Sequence, residues 1–335
     1  MTDIRLAFLG FGNVGQALGR LLLRKQDELE HESGITFRVT GISTGRHGTL
    51  IDLLGIELPD ALAALARGES LGTPMDGLAF IRTCPADLLF ESIPVNYATG
   101  QPAVDYLRAA LERGMHAVTA NKGPVVHAYR ELTTLAAKHG RKFFFESAVM
   151  DGAPIFSLFR AALPGAKLHS FRGILNSTTN LILGRMEDGE SFDQAVAYAQ
   201  SIGIAETDPS GDLDGWDAAV KVAALVTVLM GVPLKPVEVT REGIRGITSE
   251  QVRQARAEGR RWKLVCTAKR QGDGVTGRVA PELVSAESPL YGIQGTSSVV
   301  TFETDVLPEL SIVEGNPGPE TTAYGMLADF INAVR

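Results

Sequence analysis

In the first half of the chain, short continuous apolar runs alternate with longer stretches in which apolar residues recur every three or four positions. The runs at 4–9, 37–42, 86–93, 115–119 and 142–146 predict strands, and their unbroken hydrophobicity places them in a sheet covered on both faces. The periodic stretches at 14–30, 50–67, 102–114 and 125–140 predict helices. Strands and helices in alternation predict a doubly wound parallel sheet, which binds ligands at the carboxyl edge of its strands.

The pattern changes in the second half. Pro154 opens a helix that runs to about residue 162, and residues 167–175 alternate like a strand with one buried face. Asn176 and Ser191 are placed to cap helices. Strand-like runs at 261–269, 277–283, 297–303 and 309–313 are separated by Gly, Pro, Asp or Asn, which predicts an α+β unit with a mostly antiparallel sheet. The segment GNPGPETTAYGMLADFINAVR is rich in Pro and Gly and then helical. The expected domains are 1–146, 147–313, and a C-terminal helix within 314–335 that packs back on the first.

Composition narrows the classes. A formal net charge of -7 argues against nucleic acid or an anionic membrane as partner. The two cysteines, Cys84 and Cys266, lie far apart without metal-ligand spacing, which fits a reducing cytoplasm rather than a disulfide framework. A strand pattern that starts at Ile4 leaves no room for a signal peptide. The longest uncharged apolar run, 222–234, includes a Pro and is shorter than the ~20 residues of a spanning helix. The expectation is a cytoplasmic enzyme or binding protein.

Candidate chemistry begins at GFGNVG, between the first strand and the first helix. Gly10 permits a tight turn, Gly12 lets a pyrophosphate approach the backbone, and Gly15 allows close helix–strand packing, with Asn13 and Val14 opening the helix. This context predicts a Rossmann-type dinucleotide site; the alternative is a chance glycine turn. The second strand ends in STGRHG, so Ser43, Thr44 and Arg46 stand where an NAD enzyme usually carries an acid. That favours the 2′-phosphate of NADP, with NAD possible; the plain alternative is an exposed loop arginine. Lys122, in TANKGP, sits at a strand end near a nicotinamide, or is a solvated loop lysine. In the second half, Glu206, Asp208, Asp212, Asp214 and Asp217 crowd a loop that enters a helix whose only cation is Lys221. Asp217 and Lys221 share one helix face at a spacing of four. The helix is apolar on every side from Val222, so this lysine is either paired or desolvated, and both conditions suit proton transfer. Taken alone, the loop reads more readily as solvated acid with a surface ion pair.

GFGNVG, ESIPVN, TANKGP, GILNSTTN and the acidic loop with DAAVK occur in order, and with them the chain resembles the homoserine dehydrogenase family over essentially its whole length. The resemblance implies a dinucleotide domain joined to a substrate and dimerisation domain, a homodimer, and the interconversion of aspartate semialdehyde and homoserine with NAD(P)H, in threonine, methionine and isoleucine biosynthesis. By position, Lys221 looks like the family's proton-transfer lysine and Lys122 like its second active-site lysine, also in contact with the nicotinamide. Glu206 and Asp217 resemble the substrate-binding carboxylates, and Asp212 falls in the same loop. Ser92 and Gly318 join Gly10, Gly12, Asn13, Val14, Gly15 and Arg46 as cofactor residues. Glu146, Val149, Asp151 and Ala153 match the segment that holds a monovalent cation, Na⁺ or K⁺. The chain departs from the family where G-x-G-A-G becomes GNPGPETTA, and it ends at Arg335 without a regulatory domain, so indifference to threonine is expected.

An acylating semialdehyde dehydrogenase needs a nucleophilic cysteine, and neither Cys84, just before a strand, nor Cys266, inside one, has that setting. A non-catalytic dinucleotide sensor needs the glycine turn but not Lys122, Glu206, Asp217 and Lys221 together.

Overall fold

The structure, a computed structural model, describes residues 2–335. It contains two compact units: the first runs to Pro154 and takes in Gly318–Arg335, and the second is Ile155–Pro317. No helix among the described residues is long and apolar enough to cross a membrane.

In the first unit, β1 (Thr2–Leu9), β2 (Ile35–Ser43), β4 (Leu88–Glu91), β5 (His116–Thr119) and β6 (Phe143–Phe144) form a parallel sheet, and β3 (Thr49–Ile51) lies antiparallel on its edge. The strand order is β3-β2-β1-β4-β5-β6. The helices are α1 (Asn13–Arg24), α2 (Gln26–Ser33), α3 (Leu58–Ala66), α4 (Gly77–Thr83), α5 (Ala103–Glu112), α6 (Lys122–Lys138) and, from the C-terminal segment, α13 (Pro319–Val334). This is the expected doubly wound α/β sheet.

Two local expectations fail for identifiable reasons. The helix expected at 14–30 breaks at Lys25, because the buried stripe Leu18–Leu21–Leu22 ends there and residues 26–33 carry only Leu29 into the core. The helix expected at 50–67 begins at Leu58, with Pro59 in its first turn. Ahead of it the chain reverses instead: Thr44 N–H donates to Gly48 O (3.0 Å), Gly48 takes φ +79°, and the Ser43 and Thr49 hydroxyls meet at 3.1 Å, which starts β3.

Helix α13 packs on α1, and its Ala323, Met326, Leu327, Phe330 and Ala333 join Phe8, Leu18, Leu22 and Phe90 in one core. Phe90 and Phe330 meet edge to face with centroids 6.0 Å apart.

The second unit carries β7 (Leu168–Ile174), β8 (Thr240–Arg241), β9 (Arg260–Gln271), β10 (Gly274–Ser285), β11 (Ser298–Thr304) and β12 (Leu310–Glu314), in the order β12-β11-β7-β9-β10-β8. Every pairing is antiparallel except that of β8 with β10. Its helices are α7 (Ile155–Ser157), α8 (Ser177–Glu187), α9 (Phe192–Ser201), α10 (Ser210–Leu213), α11 (Trp216–Leu225) and α12 (Ser249–Ala257). Asn176 caps α8 through Thr179 N–H, and Ser191 caps α9 in a reciprocal pair with Gln194. Residues Ala218, Ala219, Val220 and Val222–Val226 are all buried, so α11 has no solvent face beyond its first turn except at Lys221. Gly277 of β10 lets this helix settle on the sheet, since a Cβ there would meet the Val222 side chain at 3.0 Å.

Candidate functional site

At the carboxyl edge of the parallel sheet the three glycines are distinguished by their surroundings. Gly10 has φ +92°, and a Cβ on it would lie 2.7 Å from the Ser92 carbonyl carbon. A Cβ on Gly15 would lie 2.8 Å from Gly10 O, so it is held to hydrogen by packing between turn and helix. Gly12 is different, because a Cβ there would meet nothing within 4 Å. It is the N-cap of α1 and offers no side-chain cap, so no side chain of its own competes for the first amides of the helix. These residues fit a dinucleotide pyrophosphate. Beside them, Arg46 is exposed at the tip of the Thr44–Gly48 turn and makes no hydrogen bond or ion pair among the described residues.

The next two strand ends carry Ser92 and Lys122. Ser92 donates through Oγ to Gly10 O (3.1 Å). Lys122 follows the end of β5 and is the first residue of α6 rather than a loop residue, and the helix is capped when Asn121 Oδ1 accepts from Gly123 N–H at 2.9 Å. Glu91, which sequence reasoning passed over as one more residue of a buried strand, is a completely buried carboxyl at this same edge. Burial pushes its pKa up to about 7, against the lowering effect of hydrogen bonds from Thr119, Ile93 N–H and Asn121. Because the folded-state value is raised, its stabilising contribution is complete at acid pH and is lost as pH rises through about 7. A Glu91→Gln protein is therefore expected to melt above wild type on the alkaline side and to lose that advantage in acid. A constant offset in melting temperature across pH would contradict this.

In the second unit the structure gathers part of the acidic loop. Lys221 Nζ lies 2.9 Å from Asp217 Oδ2 and donates to Leu175 O at 2.6 Å. The pair is largely buried, with 15% and 10% of the two side chains exposed, so it is not a solvated surface pair. Asn176 Nδ2 donates to Asp217 Oδ2 (3.0 Å) and to Asp212 Oδ1 (2.6 Å). Its Oδ1 meanwhile caps α8, so one amide fixes a helix start and two carboxylates. Desolvation, and then the charge of Asp217, hold Asp212 above the usual carboxylate range, while Asn176 and Lys221 oppose the shift. The N-cap of α11 is Gly215, in the left-handed region at φ +77°. The site residue that sequence reasoning missed here is Asn176, whose only visible signal was its capping position.

The remaining acids lie elsewhere. Glu206 is exposed and forms no side-chain hydrogen bond or ion pair among the described residues; Gln200 Nε2 holds its carbonyl at 3.1 Å. Asp208 accepts from Ser210 N–H, and Asp214 pairs with Arg245 at 2.5 Å. The thiols of Cys84 and Cys266 are buried and pushed up to about 11 and about 12 by desolvation, which removes both as nucleophiles.

The segment expected to hold a cation follows β6. Glu146, Val149 and Ala153 are buried, and Met150 and Asp151 take positive φ of 56° and 44°. Asp151 Oδ2 accepts from the Thr321 hydroxyl at 3.1 Å, and its carbonyl faces Gly325 of α13. Gly318 caps α13, and its N–H donates to Thr321 Oγ1 at 2.8 Å. The altered GNPGPETTA segment is thus tied to the 150–152 turn through Thr321. No cluster of three or more His, Cys, Asp or Glu with metal-binding geometry occurs among the described residues.

A family profile described as homoserine dehydrogenase, NAD binding domain, matches residues 10–146, and one described as homoserine dehydrogenase matches residues 154–331. The chain is 35% identical to the NAD(+)-dependent homoserine dehydrogenase of Pseudomonas canavaninivorans, over 99% of this chain and 96% of that one. It is 36% identical to the homoserine dehydrogenase of Methanocaldococcus jannaschii, over 98% and 97%. A hyperthermophilic archaeal homoserine dehydrogenase solved in complex with NADPH superposes with a TM-score of 0.85 at 28% identity, covering 99% of this chain and 98% of that chain.

Proposed function

The chain belongs to the homoserine dehydrogenase family of NAD(P)-dependent oxidoreductases, and on that premise we propose that it interconverts L-homoserine and L-aspartate 4-semialdehyde with NADP, Lys221 moving the proton. The observation that carries this reading is the buried Lys221–Asp217 pair, with Asn176 and Asp212 beside it. When bound, the dinucleotide carries the hydride. Lys221 Nζ gives a proton to the aldehyde oxygen as negative charge grows there, and takes it back in the reverse direction. Asp217 orients the ammonium of Lys221, and Asp212, Asp217 and Glu206 hold the positive end of the amino-acid substrate. Lys122 is the nicotinamide-side group of the first unit. The direct test is a spectrophotometric assay of homoserine oxidation with NADP and with NAD; no turnover with either sinks the proposal.

The cofactor site takes Gly10, Gly12, Asn13, Val14 and Gly15 for the pyrophosphate, Ser92 and Lys122 toward the nicotinamide, Gly318 at the start of α13, and Arg46 for the 2′-phosphate. Support for NADP is the exposed Arg46 where an acid is usual, and the NADPH complex of the archaeal relative. NAD is the second reading, favoured by the Pseudomonas relative named for it. Arg46→Ala should weaken NADP by roughly 1.5–3 kcal/mol more than NAD, the range for a hydrogen bond to a charged group. Equal losses for the two cofactors would remove Arg46 from the 2′-phosphate site.

A monovalent cation on oxygens of Glu146, Val149, Asp151 and Ala153 belongs to the same proposal, supported by the buried Glu146 and the left-handed Met150–Asp151 turn. Activity that is unchanged when Na⁺ and K⁺ are exchanged for a bulky organic cation would count against it. A homodimer is proposed as well, and the mass in solution by light scattering decides it.

A further inference from the structure

Glu91 ends β4 and pairs in register with Leu9, the last residue of β1 before the glycine turn. Its Oε1 accepts from Ile93 N–H at 2.9 Å and from Asn121 Nδ2 at 3.4 Å, and its Oε2 accepts from the Thr119 hydroxyl. Thr119 Oγ1 in turn accepts from Asn121 N–H at 2.9 Å, and Asn121 caps the helix that Lys122 begins. On its other side, the segment Glu91 anchors carries Ser92, whose N–H and hydroxyl bond Leu9 O and Gly10 O and whose backbone is packed against Gly10. One carboxylate therefore links the turn at Gly10 to the first residue of α6.

We propose that Glu91 is a positioning residue, whose ionised carboxylate sets Lys122 and the Gly10–Ser92 contact in the geometry the reaction needs. The proposal rests on the reading of Lys122 as a nicotinamide-side group. The charged state is the one the geometry calls for, because both oxygens face donors. A proton on Oε1 would aim a donor at the Ile93 and Asn121 N–H groups and break a bond, and a proton on Oε2 would reverse the bond with the Thr119 hydroxyl. Only the carboxylate accepts from all three donors at once. Burial raises the Glu91 carboxyl, and the hydrogen bonds from Thr119, Ile93 N–H and Asn121 oppose it. With ionisation at about 7, Glu91 accepts from all three donors above neutrality and takes a proton into that network in acid, changing its hydrogen-bond pattern.

The test uses the full chain, as wild type, Glu91→Gln, Thr119→Val and Lys122→Ala, with kcat, KM for homoserine and for NADP, melting temperature and the pH profile of kcat measured for each. Wild type is expected to lose activity as pH falls through about 7. Glu91→Gln keeps the volume but not the charge, and should lower kcat about tenfold or more, as misplacement of a reacting group does, without lowering the melting temperature. Its acid limb should vanish. Thr119→Val removes a donor to the charged form and should move the limb to higher pH. A Glu91→Gln enzyme with kcat within about threefold of wild type and the acid limb intact overturns the proposal; so does a kcat loss matched by a loss of folded protein with the limb unmoved. If Glu91→Gln does not fold, Thr119→Val decides alone, and an unmoved limb overturns the proposal. Failure of the underlying reading looks different: Lys122→Ala then retains near wild-type kcat, whatever happens to the limb.

Discussion

The Lys221→Ala enzyme is expected to lose roughly 10²–10⁴-fold in kcat, about 3–5 kcal/mol of barrier, while its affinity for NADP stays within a few-fold of wild type. The environment makes this a demanding substitution. Lys221 is only 15% exposed and compensates Asp217, which shares Asn176 with Asp212. Removing the ammonium leaves two carboxylates in one desolvated site, so stability should also fall, by about 3–5 kcal/mol as for other broken buried pairs. A lower melting temperature therefore says nothing about catalysis, and kcat must be expressed per folded enzyme. Asp217→Ala should raise KM for homoserine and lower kcat together, because that carboxylate both orients the lysine and holds substrate. If Lys221→Ala folded with kcat near wild type while Lys122→Ala was inactive, the proton-transfer role would pass to Lys122.

Phe330→Ala should destabilise the first unit by about 3–5 kcal/mol, the usual range for deleting a buried ring. Phe330 is 0% exposed on α13 and meets Phe90 of β4 edge to face, in a core shared with Phe8, Leu18 and Leu22. Denaturant unfolding of the variant should show an earlier midpoint with an unchanged slope. A shift worth less than about 1 kcal/mol would mean that the ring's place is readily refilled, against the close packing of this core.

Much of the architecture is written in local pattern. The five apolar runs of the first half became the five parallel strands, and the alternating runs of the second became the mostly antiparallel sheet. Asn176 and Ser191 cap the helices they were expected to cap, and Gly10 takes the positive φ its turn requires. Each of these signals depends on neighbours a few residues apart, so a linear reading reaches them. The assignment of Lys221 and Lys122 to chemistry came from a resemblance between ordered motifs, because a lysine one turn after an aspartate reads alike on a surface and in a buried site.

What the sequence by itself determined is the order of the main strands and helices, the caps at Asn176 and Ser191 and the glycine turn, since backbone sterics and hydrophobic periodicity act over a few residues. It did not show the break at Lys25, the short strands β3 and β8, or the helices α4 and α12. The tertiary structure alone decided which polar groups share an interior. It chose Asn176, 41 positions from Asp217, as the amide that holds two acids, and Thr119, 28 positions from Glu91, as the donor to a buried carboxyl. It also left Glu206 exposed while Asp217 went inside, and brought α13 to the core of the first unit. Burying a charge is tolerable only where donors from distant strands converge on it, and that convergence exists only once the chain has folded.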